Sequence, residues 1–382
     1  MQQKVLNKID ELFLEYVNVW KEFCELESPT ADKEAVDKAT EYIVDIARKY
    51  GFDIEYNYQE VSGNAVCLTL NPNAKGSPVC FSGHVDTVHE KGLFGYPATK
   101  IEGDKIYGPG VTDCKGGIIA ALLAMVSLKE NGFTDRPIRL ILQSDEEVNS
   151  RFSKKETIKF MIEKSRDSVA FINLEPAQKD GVCINRKGIV TYTFTVKGIS
   201  AHASLCAISG ANAILEASYK IIEAEKLKDH NGITCNCGVI SGGSVANTVP
   251  EECTFKANVR FFTKEQREWT DKFMLDIAKD VKVEGCVTSV AFGMGRPPME
   301  LTEKNIEFAN RLNEIFTQNG MTELKPFIGT GGSDAAYITE EGIPCVDCLG
   351  VIGDRIHSAD EYAEIESLRE YAKRLSLIAL FI

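Results

Sequence analysis

The segment PVCFSGHVD, residues 78–86, is a short apolar run that closes on His84 and Asp86. It reads as a buried strand with a histidine at its C-terminal end. Similar arrangements follow. Residues 138–143 (IRLILQ) run into Asp145-Glu146-Glu147, and residues 169–174 (VAFINL) run into Glu175-Pro176. Residues 100–107 read as a hairpin leading into GPGVTD, which ends on Asp113. The next stretch, KGGIIAALLAMVSLK at 115–129, is apolar almost all round and predicts a buried helix. His84, Asp113, Glu147 and Glu175 are 29, 34 and 28 residues apart, about one strand–helix–strand unit each. With His357, each of these side chains is expected to follow a buried strand, so that they meet at one edge of a sheet.

Two imidazoles and three carboxylates gathered there are costly unless a cation neutralises them. Three carboxylates against two divalent ions leave a single positive charge, enough to activate water and polarise a carbonyl. A single divalent ion would leave the cluster net negative. The pattern therefore predicts a metal centre, with two Zn2+ as the expected pair; Co2+ or Mn2+ suit the same donor types.

Further out, residues 4–27 and 32–50 carry apolar positions at helical spacing, and Gly51 stops the second helix. Residues 53–58 and 64–70 read as strands, and 155–164 as a helix. After about residue 185 the pattern changes. Strands at 188–197, 233–240, 252–262 and 287–293 interleave with helices at 210–226 and 266–281. That β-α-β-β-α-β order is the signature of a ferredoxin-like sandwich. A helix at 305–319, a glycine-rich turn at 329–334, a short helix at 335–341, a strand at 343–349 and a helix at 365–380 complete the chain. The expected fold is α/β: a domain with a mixed sheet flanked by helices, residues 1–186 and 297–382, and an inserted ferredoxin-like α+β domain at 187–296.

A length of 382 residues suits two domains, and 44% hydrophobic residues suit a large core. A net charge of −13 without a dense Lys/Arg run argues against nucleic acid and anionic membranes as partners. No apolar run approaches the roughly 18 residues of a membrane span. The polar start, MQQKVL, does not read as a signal peptide, so a cytoplasmic location is expected. The 12 cysteines are accordingly expected to be reduced. Cys345 and Cys348 form a CxxC, and Cys235 and Cys237 share one face of a strand; both pairs read as structural thiols.

The individual residues have plainer readings too. Asp86 can orient His84 through the second ring nitrogen, as partners of metal-bound histidines do. Asp113 can bridge two cations, or simply cap the helix that follows. Of the adjacent acids Glu146 and Glu147, one can bind metal while the other takes a proton from activated water. Other chemistries fit less well. Residues 329–334 lack the Gly-Lys-Ser/Thr ending of a phosphate loop, and 331–335 miss the last glycine of a nucleophile elbow.

Taken together, SGHVDTV (82–88), IYGPGVTDCKGG (106–117), SDEEVNS (144–150), LEP (174–176), SAHAS (200–204), NTVP (247–250), NVRF (258–261) and GTGGSDAA (329–336) follow one order. With the His357 region, they resemble the co-catalytic dinuclear zinc exopeptidases and amidohydrolases. That family includes glutamate carboxypeptidase, acetylornithine deacetylase, succinyl-diaminopimelate desuccinylase and tripeptidase. The wording lies nearest the glutamate carboxypeptidase branch.

The resemblance implies a catalytic zinc-exopeptidase domain with an inserted lid or dimerisation domain. It implies that His84, Asp113 and Glu175 bind one zinc and that Asp113, Glu147 and His357 bind the other. Glu146 would be the general base, with Asp86 behind His84 and His202 stabilising the oxyanion. Asn247, Arg260 and the backbone at Gly332 would grip a substrate carboxylate. A cis peptide after Asp113 and a homodimer through the inserted domain are implied as well. Cys114, Pro109 and Asn149 depart from the methionine, arginine and glycine common at those places.

The expected activity is hydrolysis of a small peptide at an amide bond beside a free carboxylate. Deacylation of an N-acyl amino acid is the alternative, and a non-catalytic binding protein retaining the fold is the reading outside enzymes.

Overall fold

The structure, a computed structural model, describes residues 1–228 and 230–382. It divides into two compact units. One comprises Met1–Ile184, Leu301–Gly329 and Ser333–Ile382; the other comprises Asn185–Glu300 with Thr330–Gly332.

The first unit is built on a six-stranded mixed sheet. Its order is Asp53–Asn57, Ala65–Leu70, Ile138–Gln143, Val79–His84, Ala170–Asn173, Cys345–Val346. The first two strands are antiparallel to their neighbours. The other four run parallel, with Val79–His84 between Ile138–Gln143 and Ala170–Asn173. The C-terminal ends of three adjacent parallel strands thus lie side by side, where open α/β sheets place their sites.

Every residue of the helix Lys115–Glu130 from Lys115 to Leu128 is buried. The helix packs against Gln2–Glu25 and Ile365–Phe381, and the Trp20 indole N–H donates to the Val111 carbonyl at 3.1 Å.

A second, antiparallel sheet in this unit was not foreseen in full. The hairpin Lys100–Glu102 and Lys105–Tyr107 pairs onward with Tyr362–Glu364 and Gly353–Asp354. It carries the turn to Asp113 on one side and the loop of His357 on the other. Two sequence expectations are therefore corrected. His357 follows a two-residue outer strand, is half exposed and has φ of 63°. The strand expected at 343–349 is only Cys345–Val346. Beyond it Asp347 exchanges backbone hydrogen bonds with Cys183 and Cys348 turns at φ 63°, so the chain leaves the parallel ladder.

The second unit has a four-stranded antiparallel sheet, ordered Thr234–Gly242, Glu252–Phe261, Gly188–Lys197, Val287–Phe292. With the helices Ala213–Glu225 and Lys264–Lys279 it forms the ferredoxin-like arrangement. Alternate residues Val190, Tyr192, Phe194 and Val196 turn inward to its core, as period-two patterning dictates. The helices start where side-chain caps are available. Asn212 accepts from the Leu215 N–H and Thr263 from the Gln266 N–H.

Close packing at the strand ends depends on glycine. A Cβ on Gly117 would lie 2.3 Å from the Leu174 carbonyl oxygen, just before Glu175. Gly117→Ala is expected to lower stability by about 1–3 kcal/mol through overpacking and to weaken metal binding by displacing Glu175. Denaturant unfolding and calorimetric metal titration check this; an unchanged midpoint and affinity would refute the requirement.

Candidate metal centre

Each acid or imidazole of the cluster arrives on a definite element of the first unit. His84 ends the central strand, Glu146 and Glu147 stand in a short 3-10 turn after its neighbour, and Glu175 lies two residues beyond the strand on its other side. Asp113 and His357 come from the second sheet.

All five expected metal-binding side chains meet. His84 Nε2 is 3.1 Å from Asp113 Oδ1 and 3.8 Å from Glu175 Oε1. His357 Nε2 is 3.3 Å from Asp113 Oδ2 and 3.5 Å from Glu147 Oε2. Asp113 therefore turns one oxygen to each histidine, with a further carboxylate on either side. It does not cap the following helix: Cys114 occupies the N-cap position, without a side-chain cap bond. The Asp113–Cys114 peptide is cis. The Cys114 thiol donates to the Leu174 carbonyl at 3.2 Å.

Asp86 has a broader role than expected. His84 Nδ1 lies 2.8 Å from the Asp86 backbone carbonyl and 3.5 Å from its carboxylate. A carbonyl can only accept, so Nδ1 carries a proton, and Nε2 is the nitrogen turned toward the cluster. The Asp86 carboxylate instead accepts the backbone N–H groups of Glu146 and Glu147, both at 3.2 Å, and the Thr30 hydroxyl at 2.8 Å. It fixes the turn that presents the two acids.

A residue the sequence reading missed, Glu361, does the same for Asp113. Fully buried, it accepts the N–H groups of Thr112 (2.9 Å), Asp113 (3.1 Å) and Gly110 (3.2 Å), and contacts His89 Nε2 at 2.8 Å. Its partners lie some 250 residues away, so no local pattern in the sequence could have marked it.

The donor set fits a pair of divalent cations. Burial, with Asp113 and Glu146 nearby, pushes Glu175 well above the ordinary carboxylate range. Burial pushes Glu147 up to about 7. Hydrogen bonds to Asp113 and Glu147 raise His357 to about 10. Burial works against a charged His84, yet Cys114, Asp113 and Asp86 hold its pKa well above the usual value. Protons are retained on groups that metal would require deprotonated, so binding metal must release them.

The other expected residues belong to the second unit. His202 and Asn247 are neighbours: Ala201–His202 pairs with Thr248–Val249, and the Ala203 N–H donates to the Asn247 carbonyl at 2.9 Å. The His202 ring nitrogen Nδ1 lies 2.7 Å from the Ser204 hydroxyl. Arg260 is on the strand Glu252–Phe261 and donates through Nη1 to the Thr330 carbonyl at 2.8 Å, two residues before Gly332.

The family model described as peptidase family M20/M25/M40 matches residues 80–380. Carboxypeptidase G2 from Pseudomonas sp. is 26% identical over 94% of this chain and 86% of its own length. Succinyl-diaminopimelate desuccinylase from Rickettsia felis is 26% identical over 93% of this chain and 96% of its own. In three dimensions the aminopeptidase PepT from Bacillus cereus superposes with a TM-score of 0.77 at 21% identity, covering 95% of this chain and 96% of that one.

The raised groups fix a pH dependence for the metal-free protein. Glu147 rises from 4.5 to about 7, so its contribution is complete below 4.5 and lost as pH rises through 7. His357 rises from 6.5 to about 10, so the stability it confers is complete below 6.5 and lost as pH rises through 10. Asp113, whose pKa is lowered, acts oppositely and only in acid below 3.8. Chelator-stripped protein is thus expected to melt at progressively lower temperature from pH 5 toward pH 10, and added Zn2+ to restore more at the alkaline end. Melting curves with and without metal test this; a metal-free Tm that rises across the range would contradict it.

Proposed function

Because the chain belongs to peptidase family M20/M25/M40 and is a metal-dependent hydrolase of peptide or amide bonds, we propose that it cleaves such a bond beside a free carboxylate. The substrate is a small peptide and the centre holds two Zn2+ ions. The observation that carries this reading is the division of Asp113 between His84 and His357, with Glu175 and Glu147 on either side. When bound, such a pair supplies Lewis acidity toward a carbonyl and brings the pKa of water to roughly 7.

The residues of the chain do the rest. Glu146, held by its N–H to Asp86, accepts a proton from the attacking water and returns it to the leaving amine. His202 donates to the oxyanion. Arg260, Asn247 and the backbone at Gly332 take the carboxylate, the planar guanidinium matching its two oxygens. The similarity to carboxypeptidase G2 supports this preference. Similarity to a desuccinylase supports the alternative, deacylation of an N-acyl amino acid. We propose a cytoplasmic location; none of the 12 cysteines is in a disulfide. No described helix is long and apolar enough to cross a membrane.

Glu146→Gln is expected to retain metal while losing about 10²–10⁴-fold in kcat. The wild type is expected to prefer dipeptides and glutamate-terminated amides over N-acetyl and N-succinyl amino acids. Steady-state rates on both panels decide; normal turnover by the variant would remove Glu146 from its role, and faster deacylation would install the alternative.

We also propose a homodimer through the second unit. Ile214, Leu215, Tyr219 and Ile222 of Ala213–Glu225 are exposed, as are Val239 and Ile240 on Thr234–Gly242, an outer strand of its sheet. An open edge beside an apolar helix face is what a second copy would cover. Sedimentation is expected to give a dimer that Ile222→Lys shifts to monomer; a wild-type monomer at micromolar concentration would refute it.

A further inference from the structure

One cluster of metal-ligating side chains lies in the second unit, apart from the His84 cluster of the first. Cys235 and Cys237 stand two residues apart on the strand Thr234–Gly242, and Glu225 ends the helix Ala213–Glu225. One ligand atom from each, two sulfurs and a carboxylate oxygen, lies within 4.8 Å of the others. Cys235 is buried; Cys237 and Glu225 are half-buried.

Local structure explains the convergence. Pairing with the strand Glu252–Phe261 is regular up to Asn236 and resumes at Val239. The irregularity frees the Cys237 N–H from the ladder, and it donates to Glu225 Oε1 at 2.7 Å. That bond sets the carboxylate beside the two thiols.

The electrostatics favour a cation. Glu225 places negative charge in the last turn of a helix, the end where the macrodipole disfavours it. The next residue, Lys226, is engaged with Glu223 at 2.7 Å. Cys235, burial and Glu225 together push the Cys237 thiol upward. Zinc binds thiolate at about 2.3 Å and carboxylate at about 2.0–2.2 Å in a tetrahedron. Such donors then stand roughly 3.5–4 Å apart, so the group needs only slight closure. Its half-buried side leaves a fourth position for water.

We propose that Cys235, Cys237 and Glu225 form a second metal site, taking a single soft divalent cation of the zinc class. Both thiols lose their protons to solvent on binding, so affinity rises with pH. Thiolate donors distinguish this site from the imidazole and carboxylate centre, and its occupancy does not depend on turnover.

Cobalt titration of the metal-stripped protein tests the proposal. Wild type is expected to bind one Co2+ more than Cys237→Ser and to show a thiolate-to-cobalt charge-transfer absorption that Cys237→Ser loses. That comparison also separates Cys114, which stays in place. Glu225→Gln should bind the extra ion about tenfold or more weakly, at least the loss caused by removing a supporting partner. Hydrolytic activity of Cys237→Ser should be unchanged. A measurement needing no variant accompanies these: bound zinc should slow alkylation of Cys237 in the wild type at least tenfold, read by peptide mass spectrometry. Equal stoichiometry and absorption in wild type and Cys237→Ser, or an alkylation rate indifferent to zinc, would overturn the site.

Discussion

Three carboxylates crowded against two imidazoles at the edge of a sheet make up the constraint on which the first unit depends. Their charge must be met by protons or by metal, and every surrounding acid has to be kept from adding to it. The structure separates the acids by what they accept. Asp86, Asp145 and Glu361 receive backbone N–H groups, and those bonds hold the turns in place. Asp113, Glu147 and Glu175 face the imidazoles instead. Charge-assisted bonds from N–H groups satisfy an ion locally. The first set therefore serves as framework, while the second set presents its oxygens to a bound cation.

That division explains why two sheets are needed. Three parallel strands place His84, Glu147 and Glu175 side by side, but a bridging group must approach them from outside the sheet. The antiparallel sheet supplies Asp113 and His357 together, because Tyr107 pairs with Tyr362 and Gly353 with Ala363. Glu361 then ties the Asp113 turn to the segment that follows His357. Small residues let the layers close: Gly117 and Gly350 both meet the Leu174 carbonyl, where any side chain would intrude. Geometry at the centre is thus set by backbone contacts some distance from it.

The same logic accounts for what could be read from the sequence. His84, Glu147 and Glu175 were legible as strand-end residues because a buried strand is a short apolar run and its successor is the next polar residue. The ferredoxin-like order was legible because alternation and helical spacing are local. His357 was joined to them on the expectation of a buried strand before it, which does not hold, since its strand is two residues long and sits on an outer edge. Glu361 was not legible at all, because its importance lies in N–H groups contributed by residues 110–113. The thiols Cys235 and Cys237 looked structural for a related reason: Glu225 joins them only through a ladder irregularity that leaves no mark on a one-dimensional pattern.

Asn149 shows how a departure from a family pattern can be physically conservative. It stands two residues after Glu147, where the resemblance implies a glycine, and adopts φ of 58°. Asparagine is among the few side chains that take the left-handed region at small cost, so the turn keeps its path. Unlike glycine, it brings an amide, whose Oδ1 accepts from the Tyr337 hydroxyl at 3.4 Å. Tyr337 in turn receives the Lys155 ammonium, which also lies over its ring at 4.6 Å. The turn bearing the two acids is thereby fastened to the helix Ala335–Glu340, which follows the glycine-rich loop. A glycine could shape this turn but could not anchor it. Asn149 leaves the ligand set untouched and stiffens the turn beside Glu146 and Glu147.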